Sequence, residues 1–248
     1  MRKAFDRAAL EETLKRIGAA LSSPVLVFML GGGAMCFRNQ KVATKDLDLV
    51  FEEEIACRHF SGALKTLGFK RRRLLEKEYD EMKADGIWED EGGFRFDLFV
   101  GKVCNALKLS GTMKNRSELL GHYGNLAVRM VSNGDVILFK GVTERPGDTD
   151  DIAAIIALAP PDWKAVLREA TAQGGERRWH CILYNKFIEL KERHGVDTPI
   201  SDDIRRLCER DVLQGKFEHL LKSGWSRKMA LAHLAKEYGF TKKELAAL

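Results

Sequence analysis

Apolar residues at Leu10, Leu14, Ile17 and Leu21 recur at three- and four-residue spacing, which predicts a helix over residues 6–21 ended by Ser22-Ser23-Pro24. Val25 to Leu30 is an unbroken apolar run rich in branched residues and predicts a buried strand. Gly31-Gly32-Gly33 follows as a turn, with a short helix over Ala34 to Asn39. Asp46 to Phe51 alternates with period two, so Asp46, Asp48 and Val50 share one strand face and Leu47, Leu49 and Phe51 the other. Glu53 to Leu67 predicts a helix closed by Gly68, Phe69 to Leu75 a strand, and 76–93 a polar hairpin or irregular excursion. In the strand predicted over Phe94 to Val100, Phe94, Phe96 and Leu98 share one face and Arg95, Asp97 and Phe99 the other.

Leu126 to Val131 predicts a further strand, and Ser132 to Gly141 a helix with Ser132 as its N-cap. A turn at Arg145-Pro146-Gly147-Asp148 leads into a helix running to Ala159, and Pro160-Pro161 is the strongest boundary in the chain. Beyond it the pattern is helical throughout, over 161–172, 176–194, 201–222, 225–238 and 241–247. The expected organisation is therefore an α+β (α/β) domain over 1–159, with a small mixed sheet flanked by helices, and a helical C-terminal domain over 160–248. Ser226 to Tyr238 followed by Thr241-Lys242-Lys243-Glu244 has the outline of a DNA-reading helix pair, but a packing helical cap is the stronger reading.

Composition narrows the class. The 248 residues are 45% apolar and 31% charged, as in an ordinary water-soluble domain. No apolar run is long enough for a bilayer span, and the start lacks a signal peptide's apolar core, so a cytoplasmic location is expected. Five scattered cysteines without paired CxxC spacing argue against a disulfide framework and against a zinc module. The net charge of +5 is compatible with an anionic partner without requiring one. The densest basic run, Lys70-Arg71-Arg72-Arg73, has no aromatic platform for single strands beside it.

The chemistry concentrates in the acids. Asp46 and Asp48 lie about 7 Å apart along one strand face, so their carboxylates can converge on one cation or two adjacent ones. Asp97, between Phe96 and Leu98, sits uneasily as a merely solvated residue. Without a cation, clustered carboxylates raise one another's pKa. The glycine turn after a buried strand can offer backbone N–H groups to a phosphate, although neither GxGxxG nor a P-loop is present.

Together, Gly32-Gly33, Thr44-Lys45-Asp46-Leu47-Asp48, Phe96-Asp97-Leu98-Phe99 and Val136 to Lys140 followed by Arg145 and Asp148 resemble the nucleotidyltransferase superfamily of the polymerase-beta type. The similarity is to the minimal and antitoxin-like members of bacteria and archaea, and it covers roughly residues 20–160. The resemblance implies a polymerase-beta-like core that moves a nucleoside monophosphate from an NTP such as ATP to a hydroxyl on RNA, protein or a small molecule. Asp46 and Asp48 would bind the Mg²⁺ that holds the triphosphate, and Asp97 would help hold a second ion and favour deprotonation of the acceptor. Gly32 and Gly33 would cradle phosphate, and Lys140 would neutralise the triphosphate, with Lys45 and Arg38 as weaker candidates. Gly33 stands where many members carry serine, leaving only backbone donors. Competing readings are an antitoxin-like or nucleotide-binding protein that keeps the fold without catalysis, a metal-dependent nuclease, and a pure nucleic-acid-binding module. The C-terminal helices are expected to close the cleft or contact the acceptor.

Overall fold

The computed structural model describes residues 3–72, 84–241 and 245. Its first long element, helix α1 (Arg7–Ala20), buries Leu10, Leu14 and Ile17 completely and is N-capped by Asp6, whose carboxylate accepts from the Ala9 N–H. A short pair of strands, β1 (Phe5–Asp6) and β3 (Ala43–Thr44), ties the chain start to the segment before the acidic strand.

Seven strands form one mixed sheet. These are β2 (Val25–Leu30), β4 (Asp46–Phe51), β5 (Lys70–Arg71), β6 (Gly86–Glu89), β7 (Arg95–Val100), β10 (Glu118–Tyr123) and β11 (Leu126–Met130), in the order β10-β11-β2-β4-β7-β6-β5. The β11–β2 and β4–β7 pairs are parallel and the rest antiparallel. The parallel β4–β7 pair needs a crossover, and helix α3 (Glu54–Thr66) supplies its helical part. α3 covers the face predicted to be apolar: its Phe60 ring packs edge-on against Phe51 and Phe96, with centroids 5.3 and 5.7 Å apart. The opposite face of β4 carries Asp46 and Asp48, and the parallel register sets Asp48 beside Asp97 and Asp46 beside Arg95.

Several elements depart from the sequence reading. The glycine run is itself the first turn of a helix, α2 (Gly31–Phe37), and not a turn preceding one. The polar stretch 76–93 contributes β6, which pairs with β7. The strand expected over 69–75 is described only as β5; its end, the excursion's start and most of the helix over 241–247 lie outside the described residues. A small hairpin of β8 (Lys102–Val103) and β9 (Leu107–Lys108), helix α4 (Gly111–Asn115) and strand β10 had no apolar periodicity to mark them.

Helix α1 is clamped to the β10–β11 hairpin at Gly18. A Cβ there would lie 1.5 Å from the Tyr123 carbonyl oxygen, and the Asn125 N–H donates to the Gly18 carbonyl at 3.1 Å. Gly18→Ala is therefore expected to destabilise the fold by about 3 kcal/mol, because backbone cannot yield as a side-chain tip can. Gly62, on the exposed side of α3 with nothing within 4 Å, is the control. Gly62→Ala should stabilise by up to about 1 kcal/mol through helix propensity. Urea denaturation of the two variants checks both signs; equal behaviour would refute the clamp.

The main core does not stop at Pro160-Pro161. Helices α5 (Asn133–Lys140), α6 (Gly147–Leu158), α7 (Trp163–Ala172) and α8 (Trp179–His194) share one apolar cluster with the sheet, and helix α9 (Ser201–Lys222) continues it as far as Leu207. A second, separate cluster begins further along α9, where Leu213 and Phe217 meet Ala230 and Leu234 of helix α10 (Arg227–Tyr238) and Leu245. At 22 residues α9 is about 33 Å long, enough to reach both clusters.

The cysteines differ from the expectation in one respect. Cys181 on α8 and Cys208 on α9 form a disulfide across a separation of 27 residues. The helical packing brings them together, which spacing along the chain did not signal. Cys36, Cys57 and Cys104 are buried free thiols, and burial pushes each up to about 11, leaving little reactive thiolate near neutral pH. His180, fully buried, is a packed residue: its Nδ1 meets Asp211 at 2.6 Å and its Nε2 the Ala170 carbonyl at 2.9 Å. Among the described residues no helix is long and apolar enough to cross a membrane.

Candidate functional site

Strand β2 ends where β4 presents its acids, since Leu30 pairs with Asp48. The chain must turn there within one residue, and Gly31 does so with φ +58°. A Cβ on Gly31 would lie 2.2 Å from Asp48 Oδ2, so glycine is what admits the carboxylate. Gly32 has the same relation to Thr44, with a Cβ falling 2.4 Å from its Oγ1. Gly33 faces elsewhere: a Cβ there would meet Leu47 Cδ2 at 2.4 Å, in the packing between α2 and β4.

These residues form one wall of a cleft of about 280 Å³. Gly31, Gly32, Lys41, Thr44, Asp46 and Asp48 line that wall. Phe99, Val103 and Cys104 line a second, and Phe139, Lys140, Thr143, Arg145, Asp148 and Asp151 a third. The apolar side chains lower the local dielectric, which strengthens every charge interaction inside.

Four carboxyl groups, Asp46, Asp48, Asp148 and Asp151, meet three basic side chains, Lys41, Lys140 and Arg145, in the lining. Lys140, buried at the end of α5, donates to Asp148 at 2.9 Å and to Asp151 at 2.6 Å. Burial disfavours its charge, yet Asp148 and Asp151 outweigh that and hold its pKa above the usual lysine value. Lys41 donates to both oxygens of Asp151 at 2.8 and 2.9 Å. Burial works against ionised Asp151, but Lys140 and Lys41 keep its carboxyl below the ordinary range. Arg145 is exposed as a residue; desolvation at the cleft works against its charge, and Asp48 and Asp46 first, then Asp148 and Asp97, hold its pKa above the ordinary value.

Asp48 is the group under most tension. Burial first, then the charges of Asp46 and Asp97, push it up to about 8 against the pull of Arg145 and Lys140. A divalent cation at Asp46 and Asp48 would relieve that repulsion, and Mg²⁺ commonly takes only one or two carboxylates, leaving its other positions to phosphates and water.

The sequence-derived residues divide as follows. Asp46, Asp48, Gly32 and Lys140 meet in the cleft. Gly33 lies outside its lining, in the α2–β4 packing. Lys45 is exposed and also outside, because the alternation that turns Thr44, Asp46 and Asp48 inward turns Lys45 away. Arg38 is spent on structure, donating to the Val131 carbonyl at 2.7 Å. Asp97 is fully buried behind the cleft, its two oxygens held by a fork from Arg95 Nε and Nη2 at 2.6 and 2.7 Å. Burial drives the Asp97 carboxyl upward and the Arg95 fork opposes it. Among the described residues no three His, Cys, Asp or Glu side chains converge to hold a metal ion.

Sequence reasoning missed Lys41, Thr143 and Asp151. Lys41 lies in an unpatterned loop, and Asp151 reads as one more acid just past the first turn of a helix that already carries Asp148 and Asp150 there. Their meeting at 2.8 Å spans 110 residues of chain. No protein-family model and no curated protein matches this chain.

Proposed function

We propose that the cleft binds a nucleoside triphosphate with Mg²⁺ and transfers its nucleoside monophosphate to a hydroxyl acceptor on RNA, protein or a small molecule. The observation that carries this reading is that Asp46 and Asp48, beside Gly31 and Gly32, line one cleft together with Lys41, Lys140 and Arg145. The element order supports the polymerase-beta-like resemblance: a strand runs into a glycine helix start, an antiparallel strand bears two acids, and a parallel strand bears the third.

In this reading Asp46 and Asp48 hold Mg²⁺, which supplies charge neutralisation at the reacting phosphate. Gly31 and Gly32, by lacking a Cβ, leave room for Asp48 and Thr44, and their backbone lines the cleft in which the triphosphate would lie. Lys140, Lys41 and Arg145 orient and neutralise the phosphates, loosening their hold on Asp151 and Asp48 as they do so. The acceptor hydroxyl gives up its proton to water as its oxygen bonds to the α-phosphorus, the bond to the α–β bridging oxygen breaks, and pyrophosphate departs.

The Arg95 fork favours a second reading. With Asp97 neutralised by a guanidinium, the cleft keeps the first carboxylate pair and lacks the third, which suits nucleotide binding without transfer, as in an antitoxin-like partner. Incubation with Mg²⁺ and each labelled NTP, against RNA, protein and small-molecule acceptors, separates the two. Labelled acceptor supports transfer, and metal-dependent NTP binding without product supports the second reading. Neither product nor metal-dependent binding would sink both.

A further inference from the structure

The C-terminal cluster does not serve the cleft. Its buried residues, Leu213, Phe217, Ala230, Leu234 and Leu245, form a unit apart from the main core, and none of its side chains lines the cleft. Residues 213–248 hold seven Lys and Arg against three Glu and no Asp, so this seventh of the chain carries nearly all of the net +5. Such segregation of charge is an electrostatic footprint for a polyanion.

Rings accompany the charge. Trp225, in the joint between α9 and α10, stands 5.0 Å from His233, which lies 6.1 Å from Tyr238, which lies 6.3 Å from Phe240 (centroid to centroid). The two largest are open to solvent, Trp225 at 36% and Tyr238 at 51%. Lys216 places its ammonium 3.7 Å over the Tyr238 ring. Lys222, Arg227 and Lys228 are exposed and, among the described residues, enter no ion pair. Exposed rings and cations without ion pairs among the described residues thus share this unit, with Arg227 also lying 5.3 Å over the Phe217 ring.

We infer that the α9–α10 unit is a docking surface for single-stranded polynucleotide, with Trp225 and Tyr238 as stacking platforms and Lys216, Lys222, Arg227 and Lys228 tracking the phosphates. Every base has a face that stacks on an aromatic ring, so the site tolerates sequence. A duplex hides those faces and is disfavoured. The inference does not rest on the reading of the cleft.

The test is fluorescence anisotropy of the full-length chain with labelled twelve-residue oligo(U), oligo(dT) and a blunt duplex, at low and moderate salt. Single strands should bind more tightly than the duplex, and the ratio of the oligo(U) to the oligo(dT) affinity separates RNA from DNA as the source of the strand. Trp225→Ala with Tyr238→Ala should weaken binding about tenfold or more, while Trp225→Phe with Tyr238→Phe keeps most of it. Lys222→Glu with Lys228→Glu should weaken binding and flatten its salt dependence. No binding at low salt, a preference for duplex, or an affinity unmoved by loss of both rings would overturn the assignment. So would a dimer, lost in the alanine variant, that oligonucleotide fails to disperse.

Discussion

Asp48→Asn is expected to lower nucleotidyl transfer by about a thousandfold or more, because metal stabilisation of a reacting phosphate is worth several kcal/mol. The same substitution should stabilise the metal-free protein, which separates a functional role from a structural one. Asp48 is pushed from an ordinary 3.8 up to about 8, so between those values the folded chain keeps a proton that the unfolded chain has lost. The stability linked to this group is present in full below the unfolded value and is lost as pH rises through about 8. Asparagine cannot ionise and escapes the loss. The stability of Asp48→Asn relative to wild type should therefore grow between about pH 5 and pH 9, by on the order of a few kcal/mol. Saturating Mg²⁺ should shrink the gap by restoring wild type alone. Urea denaturation across that range, with and without Mg²⁺, reads all of this. A pH-independent gap together with unchanged transfer would remove Asp48 from the site.

Removing Arg95 should have the largest effect on stability. Arg95 is 4% exposed and Asp97 not at all, so Arg95→Ala strands a carboxylate in the core. Breaking such a buried pair costs about 3–5 kcal/mol, whereas replacing both partners by apolar residues is often close to neutral. The expected fall in Tm is roughly 10 °C for a chain of this size. Arg95→Leu with Asp97→Leu should recover most of it. Mg²⁺ then discriminates between the two readings of the cleft. If Arg95 occupies the place of a second cation, Mg²⁺ will stabilise Arg95→Ala more than it stabilises wild type. Equal stabilisation would mark Asp97 as a structural partner of Arg95, with nucleotide binding as the cleft's remaining role.

The elements legible in the sequence were those whose signal is local. β2 and β4 match their predicted limits, because an unbroken apolar run and a strict period-two alternation each leave one way to bury the chain. α9 matches over 201–222, where apolar residues at helical spacing, Ile204, Leu207 and Phe217 among them, give an equally local signal. What escaped were short pieces held by tertiary partners. The β8–β9 hairpin has two-residue strands, and β10 is mostly exposed and takes its order from β11. Among the glycines, a single cluster hid distinct roles: Gly31 and Gly32 open the cleft while Gly33 packs on Leu47, a difference set by which side of α2 meets β4.

By itself, the sequence determined that Asp46 and Asp48 share a strand face and that a glycine run follows the neighbouring strand, since side-chain alternation and the glycine backbone are properties of a few consecutive residues. Only the tertiary structure decided what surrounds that pair. The β4–β7 register set Asp97 next to Asp48 and then buried it under Arg95. The approach of α5 and α6 brought Lys140, Asp148 and Asp151 to the same cleft as Lys41. These contacts join residues tens to more than a hundred positions apart, and no short window of sequence carries the energy that selects them.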